Sequence, residues 1–125
     1  MSEIRVTTLK DTAGGNSSTA AQIFQGRSTA WVNFNGQGTI GVRDDHNVNS
    51  LTDNGTGRYT VTFSSAFSNN QYCALGNSGG DVNNTGDESN ITWASANYTS
   101  SSIFVRITAP VVDPVIVNVA VFGGT

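Results

Sequence analysis

The stretch Arg58-Tyr59-Thr60-Val61-Thr62-Phe63 decides the fold class, because its polar and apolar residues alternate without a break. Successive side chains of a β-strand point to opposite faces, so Tyr59, Val61 and Phe63 share one face and the three polar residues share the other. One buried and one solvated face is typical of an antiparallel sheet. The preceding residues, Asp53-Asn54-Gly55-Thr56-Gly57, predict a tight hairpin turn, since Asn-Gly readily adopts the positive φ that such turns need.

Further strand patterns lie on both sides of this hairpin. On the N-terminal side, Trp31, Val32 and Phe34 form a strand, residues 35–38 turn the chain, and two more strands follow over residues 39–43 and 47–52. On the C-terminal side we predict strands over residues 71–75, 91–98, 102–108 and 115–122, with a long polar connection over residues 76–90. About eight short strands separated by turn signals predict an all-β fold, a compact antiparallel β-sandwich.

The last two predicted strands differ in their patterns. In the first of them, Ile103, Val105 and Ile107 alternate with outward-facing residues. Pro114 opens the second, which is apolar on both faces apart from Asn118. A strand buried on both faces needs a cover on each side. In a chain of 13.1 kDa we expect the second cover to be another copy of the same chain.

The composition excludes several classes of function. Charged residues make up only 12% of the chain, whereas Ser, Thr and Asn supply 43 of its 125 residues. The net charge is −3 and the six basic residues form no run, so we expect no nucleic-acid partner. No apolar stretch is long enough for membrane insertion, and the N-terminus lacks a signal-peptide pattern, so we expect synthesis in the cytoplasm.

Residues 1–29 differ from the body that follows them over residues 30–125. Ile4, Val6 and Leu9 give one short strand-like alternation, residues 13–19 read as a loop, and residues 20–25 form either one helical turn capped by Thr19 or an extended arm. Such a segment cannot bury enough apolar area to fold alone. We therefore predict two parts, an N-terminal attachment arm over 1–29 and a β-sandwich body over 30–125.

The sequence gives little evidence of a catalytic site, so we expect that the protein is not an enzyme. His46 is the only histidine, and it reads as a turn residue between two strands. Neither a nucleophile elbow nor a zinc or phosphate-binding motif is present. Asp87 and Glu88 are adjacent, so on a strand they point to opposite sides and cannot flank one glycosidic bond. The single cysteine, Cys73, reads as a small buried apolar residue.

The polar stretch over residues 80–88 has three interpretations. Asp81, Asn83, Thr85 and Gly86 fit the first half of a calcium loop, but Thr92 stands where the closing acid should be. The stretch otherwise reads as a solvated connection, or as a recognition tip carried by a rigid scaffold. We expect no cofactor and no metal. The candidate receptor-contact residues of this loop are Asp81, Asn83, Asn84 and Asp87.

Aromatic residues also have two interpretations. They either form a platform on which a sugar stacks, or they pack in the core and at a subunit interface. Most of them lie in register with aliphatic residues on predicted strands, which favours packing. The residues concerned are Trp31, Tyr59, Tyr72, Trp93 and Tyr98.

Two blocks of the sequence resemble a module of bacteriophage tail fibre and small virion proteins, including those of cyanophages. The blocks are Ala30-Trp31-Val32-Asn33-Phe34-Asn35-Gly36-Gln37-Gly38-Thr39-Ile40 and Asn47-Val48-Asn49-Ser50-Leu51-Thr52-Asp53-Asn54-Gly55-Thr56-Gly57-Arg58-Tyr59-Thr60-Val61-Thr62-Phe63. The opening Ile4-Arg5-Val6-Thr7-Thr8-Leu9 and the segment Gln25-Gly26-Arg27 are similar to the N-terminal arm of the same proteins. The resemblance covers roughly the first 75 residues, and the last 50 match only in general character.

The resemblance implies a structural protein of the virion, often a homotrimer, without an active site. The first hypothesis is a tail fibre-like or spike subunit that is assembled in the host cytoplasm, docks on other virion proteins of the tail or capsid, and meets a host surface glycan through its loops. The second is a capsid decoration or cement protein, a head fibre that stabilises the shell. The third is a free carbohydrate-binding module or a small glycosidase. The candidate residues for attachment to the particle are Ile4, Val6, Leu9, Ile23 and Phe24.

Overall fold

A computed structural model describes residues 2–80, 90–93, 98–108 and 111–124 of the chain. This part forms two four-stranded antiparallel sheets, one two-stranded hairpin and one short helix, which confirms the predicted antiparallel, mostly β fold. The elements in chain order are β1 (Thr8–Lys10), β2 (Ser17–Thr19), α1 (Ala20–Gly26), β3 (Ala30–Asn35), β4 (Gly41–His46), β5 (Val48–Asp53), β6 (Arg58–Phe63), β7 (Tyr72–Gly79), β8 (Asn90–Thr92), β9 (Ser102–Thr108) and β10 (Ile116–Gly123).

The eight strands of the body divide equally between two sheets. The first sheet has the order β4-β3-β10-β7, and the second has the order β5-β6-β9-β8. The chain first crosses from one to the other at Asn47, the one residue other than glycine with a positive φ (57°) in the described part. The side-chain amide of Asn47 donates through Nδ2 to the carbonyl oxygens of Thr29 and Ser65, both at 3.2 Å, and so fixes this corner.

The core lies between the inner faces of the two sheets. Alternate residues of β3, β6, β9 and β10 are buried, as the period-two pattern predicts for β6 and β9. Phe34 and Tyr59 meet edge to face, with their ring centroids 5.2 Å apart. The buried apolar residues are Ala30, Val32, Phe34, Tyr59, Val61, Phe63, Tyr72, Ile103, Val105, Ile107, Val117, Val119 and Val121.

Close approach between chain segments requires glycine at two places in this core. A Cβ on Gly36 would lie 2.5 Å from the Tyr59 hydroxyl, and Tyr59 is fully buried. A Cβ on Gly76, in the middle of β7, would lie 3.1 Å from the Trp93 ring and 2.7 Å from a backbone oxygen of β10. Glycine at these positions therefore lets aromatic side chains pack directly on the backbone.

The N-terminal arm forms the hairpin β1–β2 and the helix α1. Thr19 caps the helix, as predicted: its hydroxyl accepts from the Gln22 backbone N–H (3.2 Å), and the Gln22 side chain accepts from the Thr19 backbone N–H (2.8 Å). This reciprocal pair is a capping box. None of residues 2–27 is buried. The arm joins the body at Ser28 and Thr29, whose hydroxyls donate to the Val121 carbonyl, both at 3.0 Å.

Several sequence predictions need correction. Residues 76–79 belong to β7 and not to a polar loop, because they pair with β10 from Asn118↔Asn77 to Ile116↔Gly79. The predicted strand over 91–98 is limited in the described residues to β8, and residues 94–97 lie outside them. Cys73 is exposed, not buried, because it lies on the outward side of β7.

A single chain covers only one face of the last strand, so the second cover that its pattern predicts, another copy of the chain, stays a prediction. Val117, Val119 and Val121 face the core and are at most 3% exposed. The alternate residues face outward: Ile116 is 41% exposed, and Asn118, Ala120 and Phe122 are half-buried. The apolar pattern of β10 thus contributes to the core on one side and to an uncovered sheet surface on the other.

Candidate functional site

The five candidate attachment residues all lie on the exposed arm. Their exposed fractions are 89% for Ile4, 47% for Val6, 54% for Leu9, 45% for Ile23 and 41% for Phe24. Leu9 of β1 and Ile23 of α1 line one shallow cleft of the arm, which Lys10 and Asp11 also border. Phe24 instead lines a second cleft, which the arm shares with the body. The structure therefore brings Leu9 and Ile23 together in one cleft and places Phe24 in the other. Ile4 and Val6 lie in neither cleft.

The second cleft lies where α1 meets the body and has a volume of about 510 Å³. The Arg27 guanidinium lies 4.5 Å above the centroid of the Phe24 ring, a cation–π contact. His46 and Asn47, from the β4–β5 corner, form another wall. His46 is the last residue of β4 and pairs with Trp31, so the prediction that it is a turn residue is wrong. The turn residue between β4 and β5 is Asn47.

A second uncovered surface is the outward face of the first sheet, here called the Trp31 face. It consists of the outward residues of β3, β10 and β7. Trp31 lies opposite Ala120, and Ala120 lies opposite Leu75, so these three side chains form one apolar row across the sheet. Leu75 is 57% exposed. The next row is Phe122 beside Cys73. The face comprises Trp31, Asn33, Cys73, Leu75, Asn77, Asn118, Ala120 and Phe122.

A row of asparagines runs beside the apolar row of the Trp31 face. The Asn118 amide nitrogen donates to the Asn77 amide oxygen at 3.0 Å, and the Asn33 amide nitrogen donates to the Asn118 amide oxygen. Asp44 of the edge strand β4 lies opposite Asn33 and extends the row. An amide side chain has both donors and acceptors, so the row keeps free hydrogen-bonding groups for a partner surface.

Sequence reasoning did not find the Trp31 face as a surface. Trp31, Leu75 and Ala120 are distant in the chain, and only the pairing of β3 and β7 with β10 makes them neighbours. One signal in the sequence indicated this surface: the predicted strand over residues 115–122 has apolar residues on both of its faces. The prediction that aromatic residues pack in the core is confirmed for Tyr59 and Tyr72, whereas Trp31 is only half-buried on the outward face.

The buried tyrosines are structural hydrogen-bond donors. The Tyr59 hydroxyl donates to Asp113 Oδ1 at 2.7 Å, and burial together with this carboxylate raises the Tyr59 pKa far above its ordinary value. Burial raises the pKa of Tyr72 to about 12. Both hydroxyls therefore stay protonated at neutral pH. In the arm, the Asn16 side chain donates to Asp11 at 2.8 Å and lowers the pKa of that carboxyl.

The candidate receptor-contact residues Asp81, Asn83, Asn84 and Asp87 lie outside the described residues, and so does the half calcium loop that contains them. Across the described ranges, no group of three or more His, Cys, Asp or Glu side chains could hold a metal ion. The helix in the described part of the chain is too short to cross a membrane.

Comparison with known proteins gives no relative for this chain: no family model, no curated protein and no solved structure matches it.

Proposed function

We propose that the chain is a structural subunit of a bacteriophage particle, a fibre or spike protein. It is assembled in the host cytoplasm, docks on the tail or capsid by its N-terminal arm, and associates with copies of itself, as a homotrimer. The sequence blocks over residues 30–40 and 47–63 support the virion assignment through their resemblance. The uncovered apolar surfaces of the fold support the assembly assignment on physical grounds.

The observation that carries the proposal is the exposure of the arm. Its five large apolar side chains are each at least 41% exposed, although the arm has a regular hairpin and a capped helix. Fully burying an aliphatic or aromatic side chain contributes about 1.5–3 kcal/mol. A partner surface that covers Ile4, Val6 and Leu9 would therefore add burial that the unpartnered arm lacks, most of all at Ile4.

The Trp31 face is the proposed contact between copies. It has an apolar row and an asparagine row, and β3, β10 and β7 contribute no charged side chain to it, although Asp44 of the edge strand β4 lies at its border. In a trimer each copy would turn this face toward the threefold axis. Obligate interfaces resemble a domain core cut in half, and an apolar sheet surface fits that description. Cys73, exposed in the single chain, would be buried at this contact.

Removal of the arm tests the docking role. The fragment 30–125 should keep the β-type circular dichroism of the full chain, because the core residues lie between Ala30 and Val121. It should be missing from particles assembled by the phage that encodes it. Normal incorporation of the fragment would refute docking by the arm.

A pair of double substitutions separates the apolar contacts from the arm as a whole. Ile4→Asp with Leu9→Asp places charges at two candidate contact residues and should abolish incorporation. Thr7→Asp with Thr12→Asp places the same charges at exposed polar positions and should leave incorporation normal. Equal incorporation of the two variants would contradict a role for the apolar side chains.

The same arm would also serve a capsid decoration protein, the second candidate. Both functions need docking by the arm, and they differ in location. Labelling the body and viewing particles by electron microscopy separates them, since label on the tail supports a fibre or spike and label over the shell supports a decoration protein.

A further inference from the structure

The outward face of the second sheet brings two arginines together. Arg58 of β6 lies directly opposite Arg106 of β9, and both side chains are exposed. The neighbouring ladder position is hydrogen-bonded, because the Ile107 N–H donates to the Gly57 carbonyl at 2.7 Å. Hydrogen-bonded and non-hydrogen-bonded pairs alternate along an antiparallel ladder, so the two arginines form a non-hydrogen-bonded pair with Cα atoms about 4.5 Å apart.

No acidic side chain among the described residues forms an ion pair with Arg58 or Arg106. The one ion pair of the described part lies in the N-terminal arm. The two aspartates at the same end of the second sheet bind backbone N–H groups instead. Asp53 accepts from the Gly55 N–H (2.8 Å), and Asp113 accepts from the Gly57 N–H (2.7 Å). Like charges directly opposite each other destabilise a sheet, so an anion held between Arg58 and Arg106 would remove this repulsion.

Hydroxyl groups and one aromatic ring surround the two arginines. Thr92 of β8 lies opposite Arg106 on its other side. In the next outward row, Thr60 lies opposite Phe104, whose half-buried side chain leaves part of its ring accessible. An acidic sugar has the matching groups, namely an apolar C–H surface, several hydroxyls and a carboxylate, sulfate or phosphate. This surface is called the Arg58 face, with Arg58, Thr60, Thr92, Phe104 and Arg106.

From this arrangement we infer that the Arg58 face binds an acidic saccharide. The two guanidinium groups hold its anionic group, since their planar forks match carboxylate, sulfate and phosphate oxygens. The Phe104 ring lies against the sugar ring. A nucleic acid is disfavoured, because the chain has a net charge of −3 and offers only two basic groups here.

This inference gives the receptor of the proposed fibre a chemical class, and to that extent it rests on the proposed function. Binding itself is measurable on the isolated full chain. Loss of saccharide binding with normal incorporation into particles would overturn only this inference. An arm deletion that incorporates normally would overturn only the docking proposal.

The experiment is a calorimetric titration of the full chain at low salt with three acidic probes. Oligogalacturonate carries carboxylates, a sulfated galactan oligosaccharide carries sulfates, and mannose 6-phosphate carries a phosphate. Their neutral counterparts are oligogalactan and mannose. We expect at least one acidic probe to bind, at least tenfold more tightly than its neutral counterpart. The probe that binds identifies the anionic group.

Substitutions locate the binding on the Arg58 face. Arg58→Gln and Arg106→Gln should each weaken binding at least tenfold, and Phe104→Ala several-fold. Lys10→Gln removes one positive charge from the exposed arm and should leave the affinity unchanged. Arg58→Lys keeps the charge but loses the fork, so its affinity should fall between wild type and Arg58→Gln. Thermal melts of all variants verify that they remain folded.

Three results would overturn the inference. The first is that none of the acidic probes binds at millimolar concentration. The second is that binding survives both Arg58→Gln and Arg106→Gln in folded variants. The third is that single-stranded DNA of equal charge binds as tightly as the best saccharide, which would show general attraction of polyanions.

Discussion

The two outer faces of the body have opposite chemistry, although the two inner faces are alike. Both sheets turn valine and aromatic residues inward, and the second sheet adds Ile103 and Ile107. On the outside, the first sheet presents an apolar row through Trp31 and Leu75 with a neutral asparagine row beside it. The second sheet presents Arg58 and Arg106 among hydroxyls. The difference indicates that one outer face is suited to burial against a copy of the chain and the other to solvent and a charged ligand.

The largest expected effect separates the inner and outer sides of one strand. Phe34→Ala removes a fully buried ring that packs edge to face on Tyr59, so it should lower the free energy of unfolding by about 3–5 kcal/mol. Trp31→Ala, on the outer side of β3, should cost only about 1–2 kcal/mol in dilute solution. Urea unfolding measures both.

The dependence of these two unfolding costs on protein concentration tests the distinction between the two sides of β3 more sharply. If copies cover the Trp31 face, the cost of Trp31→Ala should grow as protein concentration rises, and that of Phe34→Ala should change less. An equal and concentration-independent cost at both positions would contradict the distinction between the two sides of β3.

Alkaline pH tests the inner faces of both sheets, since Tyr59 lies on the second sheet and Tyr72 on the first. Both pKa values are raised, so above about pH 10 the unfolded chain loses protons that the folded chain retains. Stability should therefore be insensitive to these groups below pH 10. It should fall by about 1.4 kcal/mol per pH unit for each tyrosine as the pH rises toward 12.

Tyr72→Phe provides the control for this pH dependence. Between pH 10 and 12, the free energy of unfolding of the variant should fall less steeply with pH than that of wild type, by the contribution of one tyrosine. Below pH 9 the two proteins should show the same pH dependence. A flat stability profile for the wild type up to pH 11.5 would show that the two hydroxyls ionise as freely in the folded chain as in the unfolded one.

A smaller effect is expected in the asparagine row of the Trp31 face. Asn118→Ala removes the central amide, which donates to Asn77 and accepts from Asn33, and should cost about 1–2 kcal/mol. Asn49→Ala, at an exposed position of β5, should change stability by less than about 0.5 kcal/mol. Indistinguishable melts of the two variants would mean that the row contributes nothing to stability.

The smallest effect concerns the Arg58 face. Arg58→Gln removes a like-charge repulsion with Arg106, so the variant should be more stable than wild type by a few tenths of a kcal/mol at low salt. Added salt should reduce the difference, because it screens exposed charges. A variant that is less stable than wild type at low salt would show that Arg58 has a stabilising contact.

Local patterns in the sequence predicted the inner faces well. The alternation of Tyr59, Val61 and Phe63 reports a half-buried strand directly, and the Thr19 cap depends only on residues within one helical turn. These features need no information about the partner strand, which explains why the prediction was correct.

The outer faces depend on pairing between distant segments, which the sequence does not display. Cys73 was predicted to be buried because its strand is apolar, but pairing with β10 places it on the outer side. Arg58 and Arg106 read as scattered basic residues until the β6–β9 ladder sets them opposite each other. Residue type alone cannot assign a side chain to a face when the neighbouring strand comes from another part of the chain.

The mass of the full chain in solution tests the central claim, that the Trp31 face is covered by copies of the chain. Sedimentation equilibrium should show a trimer of 13.1 kDa chains. Leu75→Asp, on the Trp31 face, should give a folded monomer, and Thr52→Asp, on the outer side of the second sheet, should remain a trimer. A wild-type chain that stays monomeric at every concentration, or a Leu75→Asp variant that keeps the wild-type mass, would contradict the account.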